Sequence, residues 1–397
     1  MKECERRMVP VRALRHALGL AVFCGAVFAA SADEAKAYRL VPVNFADLPG
    51  FSDDRLADAL KVFTKTCDRP SGARPQVEGF DPAAQAKACH AARAGAGSAN
   101  PSGFFQQYFR PYLVAVDGEG DAFFTGYYQP EIEASLVKNK SFPTAVYGLP
   151  PDLVSLAPSE RRGPLTDLTA ARRAPDGSLT PYPDRAAIED GALERTPGVK
   201  RLAYVKDNVD LYLAQVQGSA RLQLTDGRIL RLAFAGKNGQ PYTALARILV
   251  QRGVASPSEM TMSRLTEWIR ENGIERGQAG DDLLRQNRSF VFFNASIENG
   301  SDAGPQGGSG AALTPLRSIA VDARVWPYGL PFFIDSEMPW RTGAQEPFRR
   351  VVVSQDTGSA IVGPARADIY FGAGAAPGAR ASEIRHHGRL FVFLPAH

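Results

Sequence analysis

Apolar positions recur along this chain with two different periods, and the switches between them sketch its architecture. From Phe51 to Ala94 the spacing is helical. Leu56, Leu60, Val62 and Phe63 return at turn-like intervals after Ser52-Asp53-Asp54, which reads as an N-cap. Pro101 to Tyr112 carries Phe104, Phe105, Tyr108 and Phe109 at helical spacing, a stripe suited to a core. The period then shortens. Leu113–Val116 and Ala122–Tyr128 read as paired strands around the turn Gly118-Glu119-Gly120.

The middle of the chain is more mixed. Pro150 to Pro183 is rich in Pro, Ala and Arg and reads as an irregular surface excursion. Pro183-Asp184-Arg185 opens a short helix through Leu193. Leu211 to Leu232 reads as a run of β segments, with LYLAQVQGSARLQL alternating and Asp226-Gly227 closing a hairpin onto ILRLAF. In AGKNGQPYTALARIL a Lys237-Asn238-Gly239 turn precedes a helix to about Gly253. Such a turn suits an anion, but it lacks the phosphate-loop layout that a nucleotide site needs. Two further helices span about Ser263–Asn272 and up to Asn287, and SFVFFN (Ser289–Asn294) is a strand.

The C-terminal third holds the candidate chemistry. Ser301 to Ala312 is glycine-rich and reads as a connector or groove-edge loop. Asp322 stands just before Trp326-Pro327-Tyr328-Gly329. Val351–Val353 is a β-branched run that leads directly to Asp356, and Asp368 opens the apolar segment Ile369–Phe371, with Gly358 and Gly363 between the two acids. Two carboxylates on a strand–turn–strand unit suit acid–base chemistry, although aspartates beside glycines also serve turns. Leu390–Pro395 is the final strand. His386 and His387 precede it as surface residues, because nothing nearby completes a triad or metal shell.

Composition changes this picture mainly at the N-terminus. At 397 residues the chain has room for two domains. Lys2, Arg6, Arg7, Arg12 and Arg15 precede the apolar run Leu18–Ala29 and the small-residue motif Ala30-Ser31-Ala32, a signal-peptide pattern with a mature start near Asp33. Five basic and two acidic residues leave with that segment, so 41 basic residues remain against 40 acidic ones. No basic stripe for nucleic acid is present. The mature chain keeps Cys67 and Cys89, which in an oxidising compartment most simply form one disulfide. A metal set of Cys67, Cys89 and His90 lacks a fourth ligand. Phe23 before Cys24 argues against a lipidation box.

With these motifs assembled, the sequence resembles the MltA family of membrane-bound lytic murein transglycosylases. The resemblance runs from FTGYYQP (Phe124–Pro130) to the C-terminus, through Gln217-Gly218-Ser219, AGKNGQPY, SFVFF and QDTGSAIVGPARADIYFG (Gln355–Gly372). The C-terminal part also resembles the three-aspartate (3D) domain, whose aspartates match Asp322, Asp356 and Asp368. Gly358-Ser359 stands where the family has a glycine pair, and the lipid-bearing cysteine suggested by the family's name is absent.

The resemblance implies a mainly β fold. A double-psi β-barrel would be built from N- and C-terminal segments, with several helices and an inserted second β-rich domain. After residues 1–32, the divisions expected are 33–130, 131–293 and 294–397, with a groove between the domains for a glycan strand. By motif position Asp368 matches the family's catalytic acid/base and Asp356 its neighbouring aspartate. Sugar contacts are expected from Thr125, Gly126, Tyr127, Gln217, Ser219, Gly310 and Ala311, with Asp322 as a further candidate. The implied reaction cleaves the β-1,4 bond between N-acetylmuramic acid and N-acetylglucosamine and leaves a 1,6-anhydro sugar. No metal or cofactor is expected. Peptidoglycan is the expected ligand, cell-wall synthesis or division proteins are candidate partners, and a periplasmic monomer associated with the outer membrane is the expected setting. The competing readings are an inverting hydrolase using Asp356 and Asp368, a non-catalytic glycan-binding module, and a cell-wall scaffold.

Overall fold

The computed structural model describes residues 38–67, 77–116, 121–257, 259–298, 304–341, 343–358 and 360–396. The signal-like segment, the turn at Gly118-Glu119-Gly120, Ser301–Ala303 and Ser359 lie outside them. The chain begins with strand β1 (Tyr38–Pro42), helices α1 (Leu56–Cys67), α2 (Pro82–Arg93) and α3 (Pro101–Tyr108), and strands β2 (Phe109–Val116) and β3 (Ala122–Gln129). The next strands are β4 (Glu131–Ser135), β5 (Thr144–Tyr147), β6 (Leu153–Ser155), β7 (Ala170–Arg173) and β8 (Leu179–Pro181). Helix α4 (Arg185–Glu189), β9 (Arg201–Val205), α5 (Asn208–Gln217), β10 (Ser219–Leu224) and β11 (Ile229–Lys237) follow. After them come α6 (Leu245–Gln251), α7 (Met262–Glu271), α8 (Ala279–Arg285) and β12 (Val291–Ile297). The last stretch holds β13 (Ser318–Val321), β14 (Pro331–Met338), β15 (Glu346–Asp356), β16 (Arg366–Ala373), α9 (Ala375–Glu383) and β17 (Arg385–Pro395).

Among the described residues, six strands close into a ring in the order β17, β14, β15, β13, β16, β3, because β3 pairs back onto β17. Strands β1 and β2 extend the ring at β17. The fold is thus mainly β, with a closed six-stranded barrel. Strand alternation assigns its side chains to two cores. Phe332, Ile334, Val352, Ile369, Leu390 and Val392 join Trp326 in one cluster, whereas Phe333, Val351, Val353, Phe391 and Phe393 pack against α1–α3. Full burial of each such side chain is worth about 1.5–3 kcal/mol, so both faces of these strands contribute to closure.

The middle of the chain forms a six-stranded sheet in the order β12, β11, β10, β4, β9, β5, with helices α5–α8 grouped around a separate apolar cluster. Asn238 is buried, donating to the carbonyls of Pro183 and Arg288 and accepting from the N–H of Phe290. The AGKNGQPY motif is therefore a junction that fixes neighbouring backbone.

Four sequence expectations are corrected here. Strands β2 and β3 do not pair with each other; β17 hydrogen-bonds to both, with Arg385–Gly388 on β3 and Phe391–Pro395 on β2. Asn208–Gln217 is a helix rather than a strand. Asp207 caps it by accepting from Asp210 N–H, Gly218 ends it in the left-handed region (φ 73°), and Leu211, Ala214 and Gln215 lie along one buried side. The alternating letters there come from a short amphipathic helix with two buried faces. Pro150–Pro183 is not irregular throughout: β6, β7 and β8 form a small sheet over Leu156, Leu165, Leu168 and Ala171. Asp54 serves in the core instead of as a helix cap, accepting from Arg317 Nη1 and Nη2 and from Val351 N–H, each at 2.7 Å.

Candidate active site

The two candidate acids are brought together by strand order. Asp356 ends β15 and pairs with Ala320 of β13 in parallel register, and Asp368 of β16 pairs with the same Ala320 in antiparallel register. One strand therefore separates them, and two strand spacings place their Cα atoms about 10 Å apart. On the far side of β16, β3 sets Thr125 opposite Asp368 and Tyr127 opposite Tyr370. The Thr125 hydroxyl donates to Asp368 Oδ1 at 2.6 Å and accepts from Arg366 Nη2 at 2.6 Å. The Tyr127 hydroxyl donates to Asp356 Oδ2 at 2.9 Å, and its ring packs 5.3 Å from that of Tyr370.

The two carboxylates have different environments. Asp356 Oδ1 accepts from the N–H groups of Gly308 and Thr357, both at 2.9 Å, while Oδ2 takes the Tyr127 hydroxyl. Among the described residues, Asp368 takes a hydrogen bond only at Oδ1, from Thr125, and its Oδ2 keeps both lone pairs. Both acids are half-buried. Burial pushes Asp356 above the ordinary carboxylate range; its three donors pull the other way, and Asp368 adds a smaller upward push. Burial likewise raises Asp368, against the opposing pull of Arg366 and the Thr125 hydroxyl. Desolvation is therefore the main cause of both shifts, ahead of the like-charge repulsion between them. Burial and the nearby Asp356 also raise Tyr328, to about 12.

The remaining sequence candidates divide by place. Gly310 (φ 76°) and buried Ala311 belong to the loop that presents Gly308, and Gly310 N–H donates to Gly307 O. At Gly308 an added Cβ would lie 2.4 Å from the Tyr328 hydroxyl, so a larger residue there would displace the Tyr328 ring beside Asp356. Gln217 ends α5 and accepts from Tyr128 N–H at 3.1 Å, tying that helix to β3. Ser219 opens β10, half-buried and opposite Ala233. Gly126 lies against α9, where a Cβ would meet Ala381 O at 2.7 Å. Asp322 is separate from the pair. It is buried, and it accepts from Arg324 N–H, Nε and Nη2 and from Gly363 N–H. Burial pushes Asp322 up, but these bonds outweigh it and hold the carboxyl below the ordinary range.

Sequence reasoning missed Arg366 and Gly308. Arg366 stands two residues before Asp368, so strand alternation puts both on one face, and that spacing was the available signal. His386 lies within 3.0 Å of Gln345 and His387 packs on Phe123. Cys67 and Cys89 form a disulfide, so the set with His90 holds no metal. No group of three or more His, Cys, Asp or Glu suited to a metal occurs among the described residues. No helix among them is long and apolar enough to cross a membrane.

Comparison with known proteins gives this geometry a family. A family model described as the MltA specific insert domain matches residues 123–294, and one described as the 3D domain matches residues 317–394. Membrane-bound lytic murein transglycosylase A of Escherichia coli is 31% identical over 288 residues, covering 72% of this chain and 68% of that protein. The crystal structure of a membrane-bound lytic murein transglycosylase from Agrobacterium tumefaciens superposes with a TM-score of 0.78 at 29% identity, covering 90% of this chain and 97% of the other. MltA from Neisseria gonorrhoeae gives a TM-score of 0.72 at 26% identity, covering 91% and 96%. The double-psi form of the barrel fits these structures. The chain belongs to the membrane-bound lytic murein transglycosylase A family.

Proposed function

We propose that this protein cleaves the β-1,4 bond between N-acetylmuramic acid and N-acetylglucosamine in peptidoglycan without water, leaving a 1,6-anhydromuramoyl end. Asp368 is the single acid/base. Its carboxyl protonates the leaving glycosidic oxygen; the resulting carboxylate takes the proton from the muramoyl C6 hydroxyl as that oxygen attacks C1. Proton and electron pair balance within the substrate, which supplies its own nucleophile. Asp356, whose three donors favour its ionised form against the upward push of burial, is the second carboxyl near the sugar as positive charge develops at C1.

The observation that carries this reading is the asymmetry between the acids. Burial raises both carboxyls, but among the described residues Asp368 takes a donor only at Oδ1, which leaves Oδ2 open to the leaving glycosidic oxygen. Asp356 has hydrogen bonds on both oxygens. Thr125 and Tyr127 orient the two carboxylates, and Gly310 and Ala311 act through the Gly308 loop. Gln217, Ser219 and Gly126 shape the neighbouring groove wall. The glycan strand would lie between the barrel, assembled from residues 33–130 and 294–397, and the inserted segment 131–293. The name of the Escherichia coli relative, membrane-bound and acting on murein, supports a site of action in the cell envelope, and the signal-like N-terminus supports the periplasm.

An inverting hydrolase is the second reading, because a one-strand separation also leaves room for a water between two carboxylates. Digestion of purified murein sacculi followed by mass analysis decides between them. Anhydro-terminated muropeptides support the transglycosylase; products heavier by one water support the hydrolase, and no release from sacculi would overturn both.

A further inference from the structure

The residue before Asp356 does not face the sugar site chemistry at all. Gln355 is fully buried, and its Nε2 donates to Thr66 Oγ1 at 2.6 Å, near the end of α1. The Thr66 hydroxyl in turn donates to Val62 O at 2.9 Å. Gln355 Oε1 accepts from the Ser318 hydroxyl, whose oxygen accepts from Thr314 N–H at 2.7 Å. Gln355 Nε2 also reaches Val62 O at 3.5 Å, so the amide nitrogen faces acceptors on α1 and the amide oxygen faces the Ser318 hydroxyl, which fixes the orientation of the Gln355 amide. Its backbone matters as well. Gln355 O accepts from Ser309 N–H at 2.9 Å, which seats the loop whose Gly308 N–H reaches Asp356.

A second arm arrives from α2. Gln85 Nε2 donates to Gly329 O at 3.0 Å, and Gly329 N–H donates to Ser354 O at 2.8 Å. The two helices are themselves joined by Cys67, the neighbour of Thr66, to Cys89. Both arms thus end at the two residues that lead into Asp356.

We propose that Thr66 and Gln355 are positioning residues for Asp356, and that the Cys67–Cys89 disulfide holds the helical end of this relay so that the carboxylate's donor set depends on the bridge. The proposal rests on the assignment of Asp356 to the active site. The carboxylate is faced by Asp368 and Tyr370 from β16, Tyr127 from β3 and Tyr328 from the segment before β14. Of these only Asp368 changes charge between acid and neutral pH, so a shift in Asp356 with Asp368 intact reports its donors.

Thr66→Val keeps the side-chain shape but leaves Gln355 Nε2 buried without that acceptor, whereas Thr66→Ser keeps the hydroxyl. The full mature chain would be compared as wild type, Thr66→Val, Thr66→Ser, and Cys67→Ser with Cys89→Ser. The Asp356 carboxyl would be titrated by carbon-13 NMR, and kcat and KM measured on sacculi. In Thr66→Val and in the cysteine pair the Asp356 midpoint should rise, because loosened N–H donors favour the charged form less. Misplacement of a reacting site by a fraction of an ångström should lower kcat by about tenfold to hundredfold while KM changes by less than about twofold. Thr66→Ser should match wild type in both readings. An unchanged midpoint in folded Thr66→Val, or a Thr66→Ser that behaves like it, would overturn the relay; an unchanged cysteine pair would remove the disulfide from it. If Thr66→Val does not fold, the cysteine pair carries the test. If wild type releases nothing from sacculi, the functional assignment fails, while the midpoints still decide whether the relay places Asp356.

Discussion

Tyr127 and Asp356 are joined by a 2.9 Å hydrogen bond although their strands, β3 and β15, stand three apart around the six-stranded ring in either direction. The bond links opposite sides of the barrel at the candidate site. Tyr127→Phe keeps the ring against Tyr370 and removes only this donor. The Asp356 titration should move upward, since a bond favouring the ionised form is lost, and kcat should fall about tenfold, a typical cost for one electrostatic contact in a site. Thermal unfolding beside the rate measurement checks that the fold survives.

Thr125→Val tests the acid itself. The Thr125 hydroxyl opposes the upward shift of Asp368, so its removal lets that carboxyl rise further. A general acid works while protonated; the basic limb of the kcat/KM profile should therefore move to higher pH in the variant. A limb that stays in place would separate Asp368 from the rate-limiting proton.

Asp368→Asn should abolish turnover, by about a hundredfold or more as expected for loss of an acid/base. It should also raise the melting temperature at neutral pH. The folded-state pKa of Asp368 lies above its unfolded value, so ionisation costs more in the folded protein. That cost is present above the folded pKa and disappears as pH falls through it to the unfolded value. The stability gain of the asparagine should fade over the same window, which a series of melts at falling pH would follow.

Gly126 separates contact with sugar from packing. An alanine methyl there would lie 2.7 Å from Ala381 O and 2.8 Å from its Cα, both backbone atoms of α9 that cannot swing aside. Gly126→Ala should cost about 1–3 kcal/mol of stability through overpacking. The folded fraction should keep its KM; a raised KM at unchanged stability would return Gly126 to the sugar site.

Asp54 and Arg317 form a buried bidentate pair with side chains 2% exposed on both sides. Asp54→Asn leaves a buried guanidinium short of its partner, and denaturant unfolding should show a loss of about 3–5 kcal/mol. The same change should weaken the contact between α1 and β15, because Asp54 also accepts from Val351 N–H.

The sequence made parts of this site legible for local reasons. The Val351–Val353 run and the apolar IYF segment mark β15 and β16, so the adjoining acids Asp356 and Asp368 fall on strands. The pairing of those strands through Ala320 was not legible, because the local pattern of β13, β15 and β16 does not say which strand lies between the other two or in which direction each pair runs. Strand-to-strand adjacency misled at β2 and β3: consecutive strands usually pair, but here β17 provides edges for both. Asn208–Gln217 misled through its period, since a ten-residue helix buried on two sides leaves too few polar positions to reveal a turn of 3.6. Asp322 was grouped with the other acids by motif, and only its bonds to Arg324 and Gly363 show a carboxylate spent on the backbone.

The position of β17 also sets a clock on assembly. The six-stranded sheet of β4, β5, β9, β10, β11 and β12 takes all its partners from between Glu131 and Ile297, so it has what it needs before the chain is finished. The barrel does not. Its strand β3 has to wait with both edges open until β16 arrives more than two hundred and forty residues later, and with one edge open until Arg385–Gly388 follows. Long-range pairing of this kind is slow and leaves exposed edges during the delay. The middle segment should therefore gain protection from hydrogen exchange first in refolding, and β2 and β3 last. The same exposed edges make the interval before β17 docks the one in which strand pairing between chains should compete most with folding.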